Sequence, residues 1–123
     1  NTLRYSTNPY NVNRMTMAAG IGAIIDNDYF VKCCSTICSN RSYTIQKLQE
    51  LGFETLPSAA NFVFAKHSMI SGMQLYKKLK ENGVLIRHFE TDRLKDYNRI
   101  TIGNMEQMEI FLEKVKKILE DQK

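Results

Sequence analysis

Two arginines, Arg87 and Arg99, each stand alone inside a short apolar run, at 84–89 and 98–102. A guanidinium carried by a strand has a fixed direction and presents a rigid fork of N–H donors, which suits bidentate recognition of a carboxylate or a phosphate. If the two strands are neighbours, both forks can converge on one dianion. The spacing alone leaves a second arrangement open, in which each arginine pairs with a nearby acid such as Glu90, Asp92 or Asp96, or faces solvent at a sheet edge. Other chemistries lack their residues. Gly20 and Gly22 fall inside a helical pattern without the lysine of a phosphate loop, and no serine sits in a nucleophile elbow. His67 and His88 have no base or orienting group at triad spacing. Cys33, Cys34 and Cys38 crowd into six residues, an odd count that fits neither a disulfide framework nor paired zinc hooks. They read as buried small apolar side chains in a reducing compartment.

The elements that must position the arginines follow from periodicity. Residues 1–9 read as an extended opening segment ending in the turn signal Asn8-Pro9. Val12, Met15, Ala18, Ala19, Ile21 and Ile25 predict a helix over 11–25. Asp26, Asn27 and Asp28 cap a second helix carrying Phe30, Val31, Cys34, Ile37, Cys38, Ile45 and Leu48 towards a stop at Gly52. Strands are expected at 53–56 and 61–65, where the aromatic and β-branched residues Phe62, Val63 and Phe64 occur. A third helix starts at Ser71 or Gly72 and ends at Gly83. Strand alternation over 84–89 then places Val84, Ile86 and His88 on one face and Leu85, Arg87 and Phe89 on the other. The strand at 98–102 separates Ile100 and Ile102 from Arg99 and Thr101 in the same way. A last helix opens with Asn104 as cap and Gln107 three residues on, a capping-box pattern, and carries Met108, Phe111, Leu112, Val115, Ile118 and Leu119. Together these predict a two-layer α/β domain, with helices covering one face of a small sheet.

Composition bounds the function. The 123 residues are 43% hydrophobic and 24% charged, which suits one folded domain and excludes disordered, collagenous and coiled-coil classes. The longest apolar stretch, 17–25, is far short of the roughly 20 residues that cross a bilayer, so no membrane partner is expected, and the polar start argues against a secretory signal. The net charge of +4 favours anionic ligands weakly. The basic residues Lys77, Lys78, Lys80, Lys114, Lys116 and Lys117 are interleaved with acids and read as solvated helix faces, so no nucleic-acid partner is expected. A free-standing phosphoanion or nucleic-acid binding module is the alternative of another class. The chain starts at Asn1 rather than Met, and we expect a processed chain or an excised fragment.

Several segments also resemble a known family. Pro9-Tyr10-Asn11-Val12-Asn13, Leu51-Gly52-Phe53, Pro57-Ser58, Ala60-Asn61-Phe62, Gly83-Val84-Leu85-Ile86-Arg87 and Arg99-Ile100-Thr101-Ile102-Gly103 occur in the order seen in histidinol-phosphate aminotransferases. The resemblance runs from about residue 4 to residue 119. The last of these segments is shared by class I and II aminotransferases broadly, and threonine-phosphate decarboxylases carry similar ones. The resemblance implies the C-terminal small domain of a fold-type I pyridoxal-phosphate enzyme, with 1–25 as opening segment and linking helix, 26–123 as the small domain and a large cofactor-binding domain absent. It implies a cytoplasmic homodimer that moves an amino group between histidinol phosphate and 2-oxoglutarate in histidine biosynthesis. No lysine here matches the one that holds the cofactor in that family, so no catalytic residue is expected in this chain and the fragment alone is expected to be inactive. Position by position, the resemblance makes Arg99 and Arg87 binders of the substrate phosphate and places Asn11 at the periphery of the active site.

Overall fold

The computed structural model describes residues 2 and 12–122. The chain divides into two compact units, 1–34 and 35–123. In the first, helix α1 (Arg14–Ile25) starts later than its apolar pattern predicts, because the side chain of Asn13 caps it by accepting the Thr16 N–H at 2.9 Å. Its sequence is apolar on all sides, and Met15, Ile21, Ile24 and Ile25 are exposed. Helix α2 (Asn27–Glu50) follows after the single residue Asp26.

The apolar stripe expected on α2 holds at Ile37, Ile45 and Leu48, which join or pack against the core, and is corrected by the structure at its other positions. Phe30, Val31, Cys34 and Cys38 are exposed and Cys33 is only half-buried, so the cysteines are not core side chains. Burial on α2 begins at Asn40 and continues at Thr44 and Leu48, a four-residue spacing that places all three on one stripe. The two polar members are satisfied. Asn40 Nδ2 donates to the Gly103 carbonyl at 2.9 Å, and Thr44 Oγ1 donates to the Asn40 carbonyl at 2.7 Å.

The second unit is a mixed α/β layer pair. Its strands β1 (Phe53–Thr55), β2 (Phe62–His67), β3 (Arg87–His88) and β4 (Asn98–Thr101) form one antiparallel sheet in the order β1-β2-β4-β3. Helix α3 (Gly72–Glu81) links β2 to β3, and helix α4 (Met105–Glu120) closes the chain. Phe53, Val63, Ala65 and Ile100 point to one side and pack with Leu48, Leu75, Leu79, Met108, Phe111, Leu112 and Val115 of the helices. Both α3 and α4 begin with a complete capping box, Ser71 with Gln74 and Asn104 with Gln107, which satisfies N–H groups that the first turn leaves open. Gly52 and Gly83, the expected helix stops, have φ of +88° and +79°, a region where a Cβ is strained.

Strand β3 has two residues where alternation predicts six. The Val84 N–H is committed to the Leu79 carbonyl at 2.9 Å, so the chain is still wrapping the end of α3 when the strand was expected to begin. The alternation of side chains nevertheless survives: Ile86 is half-buried against the core while Leu85 is exposed.

Candidate functional site

Strands β3 and β4 form an antiparallel pair with Arg87 directly opposite Arg99 and His88 directly opposite Asn98. Directly paired residues project to the same face of a sheet, so both arginines emerge on the side away from the core. Phe64 of β2, opposite Arg99, shares that face, and Phe62 lies two residues before it. The structure therefore brings Arg87 and Arg99 together. Neither makes an ion pair among the described residues. Of the acids the sequence offered, Asp92 binds Lys95 at 3.2 Å instead.

Three phenyl rings support the pair. Phe62 and Phe64 meet edge to face with centroids 5.8 Å apart, and Phe64 and Phe89 lie 6.0 Å apart. The Cζ of Arg99 sits 5.3 Å from the Phe62 centroid and that of Arg87 5.3 Å from the Phe89 centroid, both within cation–π reach. Arg99 is half-buried, and its Nε is buried with no hydrogen-bond partner. A buried donor left unpaired costs about 1–3 kcal/mol. Like charges facing each other across a strand pair add to that cost. An anion carrying several acceptor oxygens between the two forks removes the repulsion, whereas the Nε, which solvent does not reach, gains a partner only if the guanidinium shifts.

The same face holds one acid and one lysine, and they occupy each other. Glu54 and Lys66 are register partners on β1 and β2, with Oε2 and Nζ 3.1 Å apart, and the Tyr97 hydroxyl donates to Glu54 Oε1 at 3.0 Å. The Lys66 hydrogen bond, with that from Tyr97, lowers the Glu54 pKa, and the Glu54 hydrogen bond raises that of Lys66. Glu54 is thus held away from the arginines by a partner of its own.

On the opposite face, His88 Nδ1 lies 3.1 Å from Asn98 Oδ1, and the His88 ring stacks on Tyr76 with centroids 6.1 Å apart. Asn98 is the residue that the search for chemistry in the sequence missed. Its signal was its parity with Ile100, which places it on the buried face, where an amide must find partners. His67 is satisfied at both ring nitrogens, by the Met69 N–H at 3.1 Å and the Leu51 carbonyl at 3.2 Å. Asn11 lies outside the described residues. Among the described residues, no group of histidine, cysteine and acid side chains is placed to hold a metal, and no helix is long and apolar enough to cross a membrane.

Lys66 is the one lysine on the arginine face among the described residues, and its Nζ is held by Glu54 beside the Tyr97 ring. These residues do not build a site for an aldehyde cofactor that needs a free amine. What they build is an anion clamp.

The chain belongs to the class I and II aminotransferases, a family it matches over residues 1–115. Within the family it is similar to the histidinol-phosphate aminotransferase of Clostridium botulinum (strain Okra / Type B1), at 42% identity over 97% of this chain and 34% of that protein. The chain thus spans about a third of the length of that relative. Among solved structures, the histidinol-phosphate aminotransferase from Clostridium acetobutylicum superposes with a TM-score of 0.79 at 26% identity, covering 97% of this chain and 37% of that one. The L-threonine-O-3-phosphate decarboxylase from Porphyromonas gingivalis gives 0.73 at 25% identity, over 96% of this chain and 38% of that one.

Proposed function

We propose that this chain is the small-domain part of a longer pyridoxal-phosphate-dependent histidinol-phosphate aminotransferase, a cytoplasmic homodimer that moves an amino group between histidinol phosphate and 2-oxoglutarate. In this reading residues 1–25 are the opening segment and linking helix, and 26–123 the small domain. One observation carries the reading: Arg87 and Arg99 face each other on the bare side of the sheet, and among the described residues neither is paired with an acid.

The proposed chemistry divides between the two parts of the protein. The cofactor supplies an electron sink for the substrate's reacting carbon when it is bound. Its site falls outside the residues described here. This chain binds and orients: the two guanidinium forks grip the phosphate, with the Phe62 ring against half-buried Arg99 and the Phe89 ring against exposed Arg87. Holding the phosphate fixes where the amino end of the substrate lies. Closure of the small domain on the rest of the protein excludes water from the reacting centre. The same reading assigns Asn11, which lies outside the described residues, to the periphery of that centre.

Similarity to the threonine-phosphate decarboxylase supports a second reading on the same clamp, since that protein's name also specifies a phosphorylated amino acid. Assaying the full-length protein with histidinol phosphate plus 2-oxoglutarate and with O-phosphothreonine separates them, because glutamate formation marks one and carbon dioxide release the other.

The clamp itself is tested by Arg99→Ala in the full-length protein. Losing one fork removes two charge-assisted bonds, about 3 kcal/mol, so the preference for histidinol phosphate over histidinol in kcat/KM should fall about 100-fold. An unaltered preference overturns the assignment.

A further inference from the structure

We propose that His88 and Asn98 are positioning residues for the arginine pair, acting from the reverse side of the sheet; the inference rests on the reading that Arg87 and Arg99 hold the substrate phosphate. Strand β3 is joined to β4 by two residue pairs, Arg87 with Arg99 and His88 with Asn98. The first pair is two cations, which push the strands apart. Cohesion between the side chains of this short ladder therefore comes from the second pair, directly behind the first.

The chemistry of that pair is determined by what surrounds it. Asn98 is buried, and its Nδ2 donates to the Gly72 carbonyl at 2.8 Å. A carbonyl only accepts, so the amide nitrogen must face Gly72 and the amide oxygen must face His88. The His88 Nδ1, 3.1 Å from that oxygen, then carries the proton and donates it. Tyr76 of α3 stacks on the ring and stops it from turning. Asn98 thus ties three things together: β4, to which it belongs; β3, through His88; and the first residue of α3, through Gly72. The approach of α3 is close. A Cβ on Gly72 would lie 2.7 Å from the Lys95 carbonyl oxygen, so only glycine lets the helix start near enough for the amide to reach.

Adjacent residues on a strand point to opposite faces. Fixing His88 against Asn98 on the core side therefore fixes Arg87 against Arg99 on the bare side, and sets the distance between the two forks. A substrate phosphate that needs both forks reads that distance, whereas a substrate without a phosphate does not.

The test uses two substitutions in the full-length protein, with Arg99→Ala as reference. His88→Phe keeps a ring to stack on Tyr76 but removes the Nδ1 donor. His88→Asn removes the ring and places an amide N–H near the position of Nδ1. We expect His88→Phe to raise KM for histidinol phosphate about tenfold more than KM for histidinol, the scale of a sub-ångström displacement of one fork, with kcat little altered. His88→Asn should recover most of that difference. Thermal melts establish that both variants are folded. Equal KM changes for the two substrates, or a larger defect in His88→Asn than in His88→Phe, overturn the proposal, since either means the ring acts through packing alone. If Arg99→Ala leaves the phosphate preference intact, the clamp reading fails; if Arg99→Ala abolishes it while His88→Phe has no effect, the clamp stands and the positioning role fails.

Discussion

Replacing Arg99 by Met should make the unliganded chain more stable, an unusual expectation for a half-buried residue on a central strand. Three contributions decide the sign. The buried, unpartnered Nε disappears, which is worth about 1–3 kcal/mol. Repulsion with Arg87 also disappears, and because Arg87 is exposed it is worth no more than about 1 kcal/mol, the scale for two close charges in water. Against these stands the contact of the guanidinium with the Phe62 ring, worth about 1 kcal/mol, part of which a thioether on the same ring restores. The balance is a gain of about 1 kcal/mol. Urea unfolding at neutral pH in a phosphate-free buffer measures it, provided the slope with denaturant is the same for both proteins. Inorganic phosphate should then act on one of them alone. At ten times its dissociation constant it stabilises the wild type by about 1.4 kcal/mol, whereas the variant has lost the site and gains nothing. The two proteins should therefore be about equally stable in phosphate and unequal without it. If Arg99→Met is the less stable protein in phosphate-free buffer, Arg99 is a structural member with its needs already met, and the argument for a vacant clamp fails.

Two further outcomes follow from the residues around the clamp. Ile100, buried between Arg99 and Thr101, should cost about 2–5 kcal/mol on replacement by Ala, read as a shift of the urea midpoint, because the cavity opens beneath the strand that carries Arg99. The Glu54–Lys66 pair should stabilise the fold only within a window. Its Glu54 contribution is whole above the ordinary value of 4.5 and disappears as the pH falls through the lowered folded value, while its Lys66 contribution is whole below 10.5 and is lost as the pH rises through the raised one. Comparing wild type with Glu54→Gln by unfolding at pH 3, 7 and 9 checks the acidic edge, with equal differences expected at pH 7 and 9, and a difference that persists undiminished at pH 3 contradicts it.

Much of the fold was legible because local and tertiary signals agree. The α4 cap at Asn104 and Gln107, the positive-φ glycines Gly52 and Gly83, and the two faces of β3 and β4 all follow from short-range chemistry that packing then reinforces. What escaped depends on distant partners. Asn40 and Thr44 look like surface residues on α2, yet Asn40 is buried because the Gly103 carbonyl, 63 residues on, accepts its amide. Cys34 and Cys38 fit the helical period but flank the Asn40, Thr44 and Leu48 stripe and are exposed, and period alone does not say how wide a face is covered. For the arginines, alternation gave the face, but not the register. The connection at 89–97 leaves several pairings open, and only the fold sets Arg87 opposite Arg99 rather than one step along.

That register is itself a consequence of chemistry on the core side. Sliding β3 by one residue so that Arg87 faces Asn98 would exchange its faces, carrying the guanidinium into contact with the buried Asn98 amide and the His88 ring out to the bare side opposite Tyr97. The desolvated cation would have only the single Asn98 amide oxygen to meet its several N–H donors, and the ladder would lose the His88–Asn98 bond. A shift of two residues restores the faces but pulls Val84 off the Leu79 carbonyl that ends α3. Each alternative therefore breaks a bond the native pairing makes. The opposed arginines, unfavourable taken alone, are the geometry that remains when the Asn98 amide, the His88 Nδ1 and the end of α3 have their partners.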